Sequence, residues 1–200
     1  MEPKLTPANM VLIGINVAVF FLLSLIGNTE SANFLFQYGA MEWRAILQDG
    51  EYYRIFTSMF LHFGFEHIFE NMIFLFLIGC YLEDALGSFR YFLFYLLAGV
   101  GAGACSLAAD TMMQANVVSA GASGAIFGVV GGLLSVVLKN KGNFEGIGLG
   151  GMIIMVVGSL YYGFTSSGVD NVAHVGGFFC GLLLGFLFYK KEKADKILQN

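Results

Sequence analysis

The sequence predicts an all-α fold, a polytopic membrane protein whose six transmembrane helices form one bundle. Three observations predict it. Of 200 residues, 57% are hydrophobic and only 12% charged, with a mean hydropathy of +0.73, a mix foreign to soluble globular domains of this length. Six apolar runs near spanning length follow one another, since hydrocarbon about 30 Å thick takes roughly 20 helical residues. Finally, 27 glycines stand beside two prolines, and glycine is common where membrane helices pack closely. Lipid tolerates only helices or closed barrels, and the alternating pattern of a barrel is absent.

The first run, 9–26, has one lysine on its flank and no small-residue cleavage pattern after it, so it reads as a span and not a signal peptide. A long loop, 27–65, follows; its stretch 34–47 mixes aromatic and apolar residues with Gln37, Glu42 and Arg44 and is expected at the outer interface. The remaining spans are expected at about 66–86, 89–112, 123–138, 147–163 and 171–189, with a basic cytoplasmic tail at 190–200. Connections between them are short, so residues 1–200 read as a single domain. No internal repeat points to an inverted-repeat transporter. Cys80, Cys105 and Cys180 sit in apolar runs without metal or disulfide spacing and read as packing residues. The net charge of −4 gives no reason to expect nucleic acid.

Orientation follows from the cations. With the N-terminus in the cytoplasm, eight of the ten lysines and arginines lie inside and only Arg44 and Arg54 outside, which satisfies the positive-inside rule. Both termini are then cytoplasmic. The absence of added domains fits a prokaryotic plasma membrane.

This orientation makes the polar residues informative. Ionisable and amide side chains are costly inside a membrane and are functional candidates by default. His67 and Asn71 open the second span, Ser123 the fourth and His174 the sixth; all three spans run inward, so the four residues share one level near the outer leaflet. The fourth span, with 16 residues from Ser123 to Leu138, is shorter than the hydrocarbon, which recesses Ser123 below the outer surface. Gly124, Gly128 and Gly132 follow Ser123 at four-residue intervals, and Gly177, Gly181 and Gly185 follow His174 in the same way. Two smooth stripes allow close backbone approach, so these spans should touch with the imidazole pointed at the partner.

A serine hydroxyl needs a neighbouring base, and imidazole has the pKa for that task near neutrality. Asn71 and His67, one turn apart, together with the Ser123 N–H, are candidate donors to a developing oxyanion. No carboxylate is placed to orient His174, so a dyad is expected. Taken singly, each residue has a plainer reading: Asn71 as an interhelical hydrogen bonder, Ser123 as a packing residue like Ser106 or Ser135, His174 as a buried structural histidine. Their common level favours the functional reading. Glu83 is expected to accept from loop backbone, His62 to be structural at the loop edge, and Asp170 and Asn171 to form the N-cap region of the last span. Tyr161 and Tyr162 read as interfacial belt residues, with the lining of a substrate entrance as the alternative.

The motifs His62-x4-His67-x3-Asn71, Gly79-x3-Glu83-x3-Gly87-Ser88, Gly121-Ala-Ser123-Gly-Ala-Ile-Phe127-Gly128 and Ala173-His174-x2-Gly177-x3-Gly181 resemble those of the rhomboid family of intramembrane serine proteases. The resemblance covers about three quarters of the chain, and the octet around the serine is its most specific part. It implies a six-helix core and cleavage of transmembrane protein substrates near the outer face of the bilayer. It further implies Ser123 as nucleophile, His174 as general base, and Asn71 and His67 in the oxyanion hole. Gly121 joins the substrate-binding set, and Phe127 is expected to pack on the imidazole. Where similar proteins carry Glu-x-Trp-Arg, this chain has Glu51-Tyr52-Tyr53-Arg54. No metal or organic cofactor is expected. Two other classes compete: a non-catalytic rhomboid-like binder, disfavoured because Ser123 and His174 are both present, and a metal-dependent membrane protease, disfavoured because H-E-x-x-H is absent.

Overall fold

The computed structural model describes residues 5–166 and 168–191, so Lys4 and all but the start of the basic tail, including Lys193 and Lys196, lie outside the described residues. The chain begins with α1 (Pro7–Ile26), with proline at the first helical position, where its missing N–H costs nothing. Three short helices follow in the first loop, α2 (Ala32–Gln37), α3 (Trp43–Leu47) and α4 (Arg54–Thr57), with a 3-10 turn at Ser58–Phe60. Then come α5 (Gly64–Leu86), α6 (Ser88–Met113) and α7 (Ser123–Lys139). A two-residue hairpin, β1 (Asn143–Phe144) against β2 (Ile147–Gly148), leads into α8 (Leu149–Thr165) and α9 (Asn171–Phe188). Gly87 alone joins α5 to α6; at φ +79 it turns the chain in a conformation few other residues adopt.

Four helices, α1, α5, α6 and α9, are long and apolar enough to cross a membrane; α7 and α8 are shorter apolar helices of 17 residues each. At 1.5 Å per residue these two span about 25 Å, less than the hydrocarbon thickness.

Burial sets the layout. Thirteen of the 17 residues of α7 are buried, so α7 is the centre of the bundle, whereas α8 buries only Met152 and Gly163 and is peripheral. Tyr91, Phe94 and Tyr95 of α6 are buried without any exposure, with the Phe94 ring against Gly132 of α7 and the Tyr91 hydroxyl donating to Asn9 of α1. The glycine stripes meet as their spacing predicts. A Cβ at Gly177 would lie 2.1 Å from the Gly124 carbonyl oxygen, and one at Gly181 only 1.9 Å from that of Gly128. Gly185 sits over Gly132, whose Cα is 2.9 Å from the same construction. Backbone therefore packs on backbone at Gly124–Gly177 and Gly128–Gly181, in register, and at Gly185 the small Ser135 side chain of α7 fills the seam beside Gly132.

Two expectations change. Glu83 accepts not from a loop but from the first-turn N–H groups of α1, Ala8 at 2.9 Å and Asn9 at 2.7 Å, which ties the start of α1 to the end of α5. A carboxylate there satisfies orphan donors and the positive end of the helix dipole together. The first loop is not only an interfacial stretch but a folded structure. Buried Arg54 donates to the carbonyls of Phe36 and Ala40 and pairs with Glu51, with its guanidinium over the Phe36 ring. Tyr53, at the position where similar proteins have tryptophan, lies half-exposed beside the same guanidinium.

Candidate active site

Ser123 is the first residue of α7, and the backbone before it is held by the first loop. Met41 and Ser119 exchange both backbone hydrogen bonds at 2.8 Å, the Gly121 N–H donates to the Ser58 carbonyl at 2.9 Å, and the Ala122 N–H donates to His62 Nε2 at 3.4 Å. His62 is buried, and burial first, then the neighbouring His67 imidazole, push its pKa down to about 3 against an opposing contact from the Phe60 backbone. It stays neutral, as accepting from an N–H requires.

His174 stands one turn into α9. Asp170 caps that helix, accepting from the Ala173 N–H at 2.8 Å with one oxygen and from the Ser106 hydroxyl with the other. Register along the glycine seam then brings His174 Nε2 to 2.9 Å from Ser123 Oγ. Phe127, one turn below the serine, stacks on the imidazole with centroids 4.3 Å apart and planes 15° from parallel. Nδ1 of His174 is buried and forms no hydrogen bond to another described residue, so no carboxylate holds the ring.

The donors converge from α5. His67 Nδ1 accepts from the Phe63 N–H at 3.3 Å, which assigns the proton to Nε2 and makes that nitrogen a donor. A Cβ at Gly121 would stand 3.1 Å from His67 Nε2 and 3.7 Å from Ser123 Oγ. With φ at +145, Gly121 is glycine for conformation and for space alike. Its own N–H is taken by Ser58, so it contributes room and not a donor. Asn71 is buried and spends one amide hydrogen on the His67 carbonyl at 2.7 Å. All six residues singled out in the sequence, Ser123, His174, Asn71, His67, Gly121 and Phe127, line one cavity of about 1350 Å³.

That cavity continues between α5 and α8, where Phe74 and Tyr162 border it, the place that the entrance reading gave Tyr162. Its charged lining is wholly acidic: Glu66, Glu70, Asp110 and Asp170, with neither lysine nor arginine. Sequence reasoning missed Ser58, Ser119 and the Met41 strand contact, all of which fix the backbone before Ser123. Only the small residues at 119–122 hinted at a tight segment there.

Fold and site together define a multi-pass helical membrane protein with a serine and a histidine in contact at the wall of an open cleft. Residues 49–191 match the Rhomboid domain, and the chain belongs to the rhomboid family. Among its relatives, "Rhomboid protease GluP" of Bacillus subtilis (strain 168) is 36% identical over 178 residues, covering 86% of this chain and 34% of that protein. "RHOMBOID-like protein 5" of Arabidopsis thaliana is 40% identical over 151 residues, covering 74% of this chain and 48% of the relative. "Inactive RHOMBOID-like protein 8" from the same plant is 33% identical over 150 residues, 74% of this chain and 41% of the relative. The chain thus spans a third to a half of the length of these relatives. They come from a bacterium and a plant alike and give no support to a specifically prokaryotic origin.

Proposed function

We propose that this chain is an intramembrane serine endopeptidase that cleaves transmembrane substrates near the outer face of the membrane through a Ser123–His174 dyad. The observation that carries the proposal is the 2.9 Å contact between Ser123 Oγ and His174 Nε2 inside a cleft lined by further donors. In this reading His174 Nε2 takes the hydroxyl proton as Oγ attacks the scissile carbonyl carbon. The oxyanion accepts hydrogen bonds from the Ser123 N–H, from His67 Nε2–H and from the free amide hydrogen of Asn71. The imidazolium then gives its proton to the leaving amine, and water, activated by the same nitrogen, hydrolyses the acyl-enzyme. Each oxyanion donor contributes on the order of 3 kcal/mol to transition-state stabilisation. Stacked Phe127 keeps the imidazole plane edge-on to the serine. No step calls for a metal or an organic cofactor.

The same reading orients the bundle with the start of α7 toward the outer face and both termini in the cytoplasm. The second reading is a binder of membrane proteins that does not cut them; what favours weighing it is that one relative is named as inactive.

One experiment separates the readings: the protein reconstituted in liposomes with a transmembrane substrate, and labelling by a fluorophosphonate followed by peptide mapping. Ser123→Ala and His174→Ala are expected to abolish cleavage, with the label on Ser123 alone. Cleavage that survives Ser123→Ala ends the proposal, and its loss on chelation would then favour a metal enzyme. Substrate that co-purifies with the parent without label or cleavage establishes the binder.

A further inference from the structure

Next to the serine–histidine pair is a second polar contact that the dyad does not use. Of the six buried side-chain atoms without a hydrogen-bond partner among the described residues, two, His174 Nδ1 and Asn171 Oδ1, lie beside the same Gly163 on α8. A Cβ built at Gly163 would stand 2.5 Å from Asn171 Oδ1 and 3.5 Å from His174 Nδ1. The amide of Asn171 is oriented by its other end, since Nδ2 donates to the Gly163 carbonyl at 3.1 Å. That bond assigns which amide atom is oxygen, so the atom that shares the space over Gly163 with His174 Nδ1 is an acceptor and not a donor. When Nε2 accepts from Ser123, the imidazole proton is on Nδ1, the nitrogen on this side. Donor and acceptor therefore share a notch whose floor is a glycine.

Resting on the dyad proposed above, we infer that Asn171 is a positioning residue for His174. Its Oδ1 accepts from Nδ1–H, through one bridging water or after a small turn of the amide, and so holds the tautomer whose Nε2 faces the serine. The same contact stabilises the imidazolium formed on attack, because hydrogen bonds to a charged donor are the stronger ones. A neutral amide takes the place that a carboxylate holds in three-residue serine hydrolases. Position 163 is a glycine for this reason: any side chain there displaces the amide oxygen. The titratable groups that bear on the imidazole are His67 on α5 and Asp170 at the cap of its own helix, with Tyr162 on the adjoining turn of α8. Neither Asp170 nor Tyr162 hydrogen-bonds Nδ1.

Three variants test the assignment in liposomes: Asn171→Ala, Asn171→Asp and Gly163→Ala. Gly163→Ala leaves Asn171 in the sequence and need only push aside the end of a flexible side chain, so it folds. Asn171→Ala and Gly163→Ala are expected to lower kcat about tenfold with KM unchanged, as partial loss of general-base alignment does. The acid limb of the pH–rate profile orders them: it moves to lower pH in both, and to higher pH in Asn171→Asp, whose carboxylate favours the imidazolium. Thermal unfolding of each variant separates these effects from loss of fold. Acid limbs of Asn171→Ala and Asn171→Asp that coincide with the parent's overturn the role of Asn171. Failure of a fluorophosphonate to label Ser123 in the parent overturns the dyad itself, and the two failures are thus distinguishable.

Discussion

At the scale of single residues the site shows how much work neutral groups do. His62 touches no candidate reacting atom, yet it accepts the N–H of the residue before Ser123 and must be uncharged to do so. Its pKa is about 3 in the fold against an ordinary 6.5. The unfolded chain therefore binds a proton that the folded one refuses, and stability is lost as pH falls from about 6.5 toward 3. The loss amounts to roughly 5 kcal/mol at most, from about 1.4 kcal/mol per pKa unit. His62→Gln keeps an acceptor that does not titrate, so thermal unfolding in detergent at pH 7 and pH 4 should differ less for the variant than for the parent. Equal slopes would refute this account. From sequence His62 reads only as structural at a loop edge. What it supports was hidden, because its partner lies 60 residues away in a segment with no periodicity.

At the scale of elements, the seam between α7 and α9 decides where serine and histidine stand. Glycines at four-residue spacing are visible in the sequence, and helical geometry alone puts them on one face. Their register, Gly124 with Gly177 and Gly128 with Gly181, is set by how the two helices come together. Gly181→Ala puts a methyl group against backbone that cannot rotate away, so the helices must separate. We expect a loss of about 1–3 kcal/mol, the usual range for overpacking, and a sharp fall in Ser123 labelling as the imidazole withdraws. Gly151→Ala on α8 meets nothing within 4 Å and should leave both unchanged or stabilise slightly through helix propensity. Thermal unfolding and labelling of the two variants side by side check the contrast; equal behaviour would count against a backbone-on-backbone seam.

At the scale of the whole molecule the charges and the cleft have to agree. The candidate residues of α5, α7 and α9 all sit in the first two turns of their helices, at one end of the bundle, while Lys139 at the opposite end of α7 donates to the carbonyls of Phe186 in the last turn of α9 and of Tyr189 just after it. In the orientation proposed above, which follows the positive-inside rule, the lysine end faces the cytoplasm and the cleft faces outward. In a cysteine-free background, Gly50→Cys in the first loop should react with a membrane-impermeant maleimide added outside sealed cells, and Asn143→Cys in the hairpin after α7 should not. The reverse pattern would invert the bundle and put cleavage on the inner side.

Composition and periodicity alone determined the solvent of this protein, the positions of its apolar helices and the common level of Ser123, His174, His67 and Asn71, because lipid restricts backbone to helices and makes every buried polar side chain conspicuous. The tertiary structure alone decided what those side chains touch. The first loop folds against the segment before Ser123, Glu83 caps α1, and Asn171 donates to the Gly163 carbonyl, through contacts between irregular backbone and distant helices. Hydrogen bonds of that kind depend on direction and on tenths of an ångström, and no spacing along the chain records either.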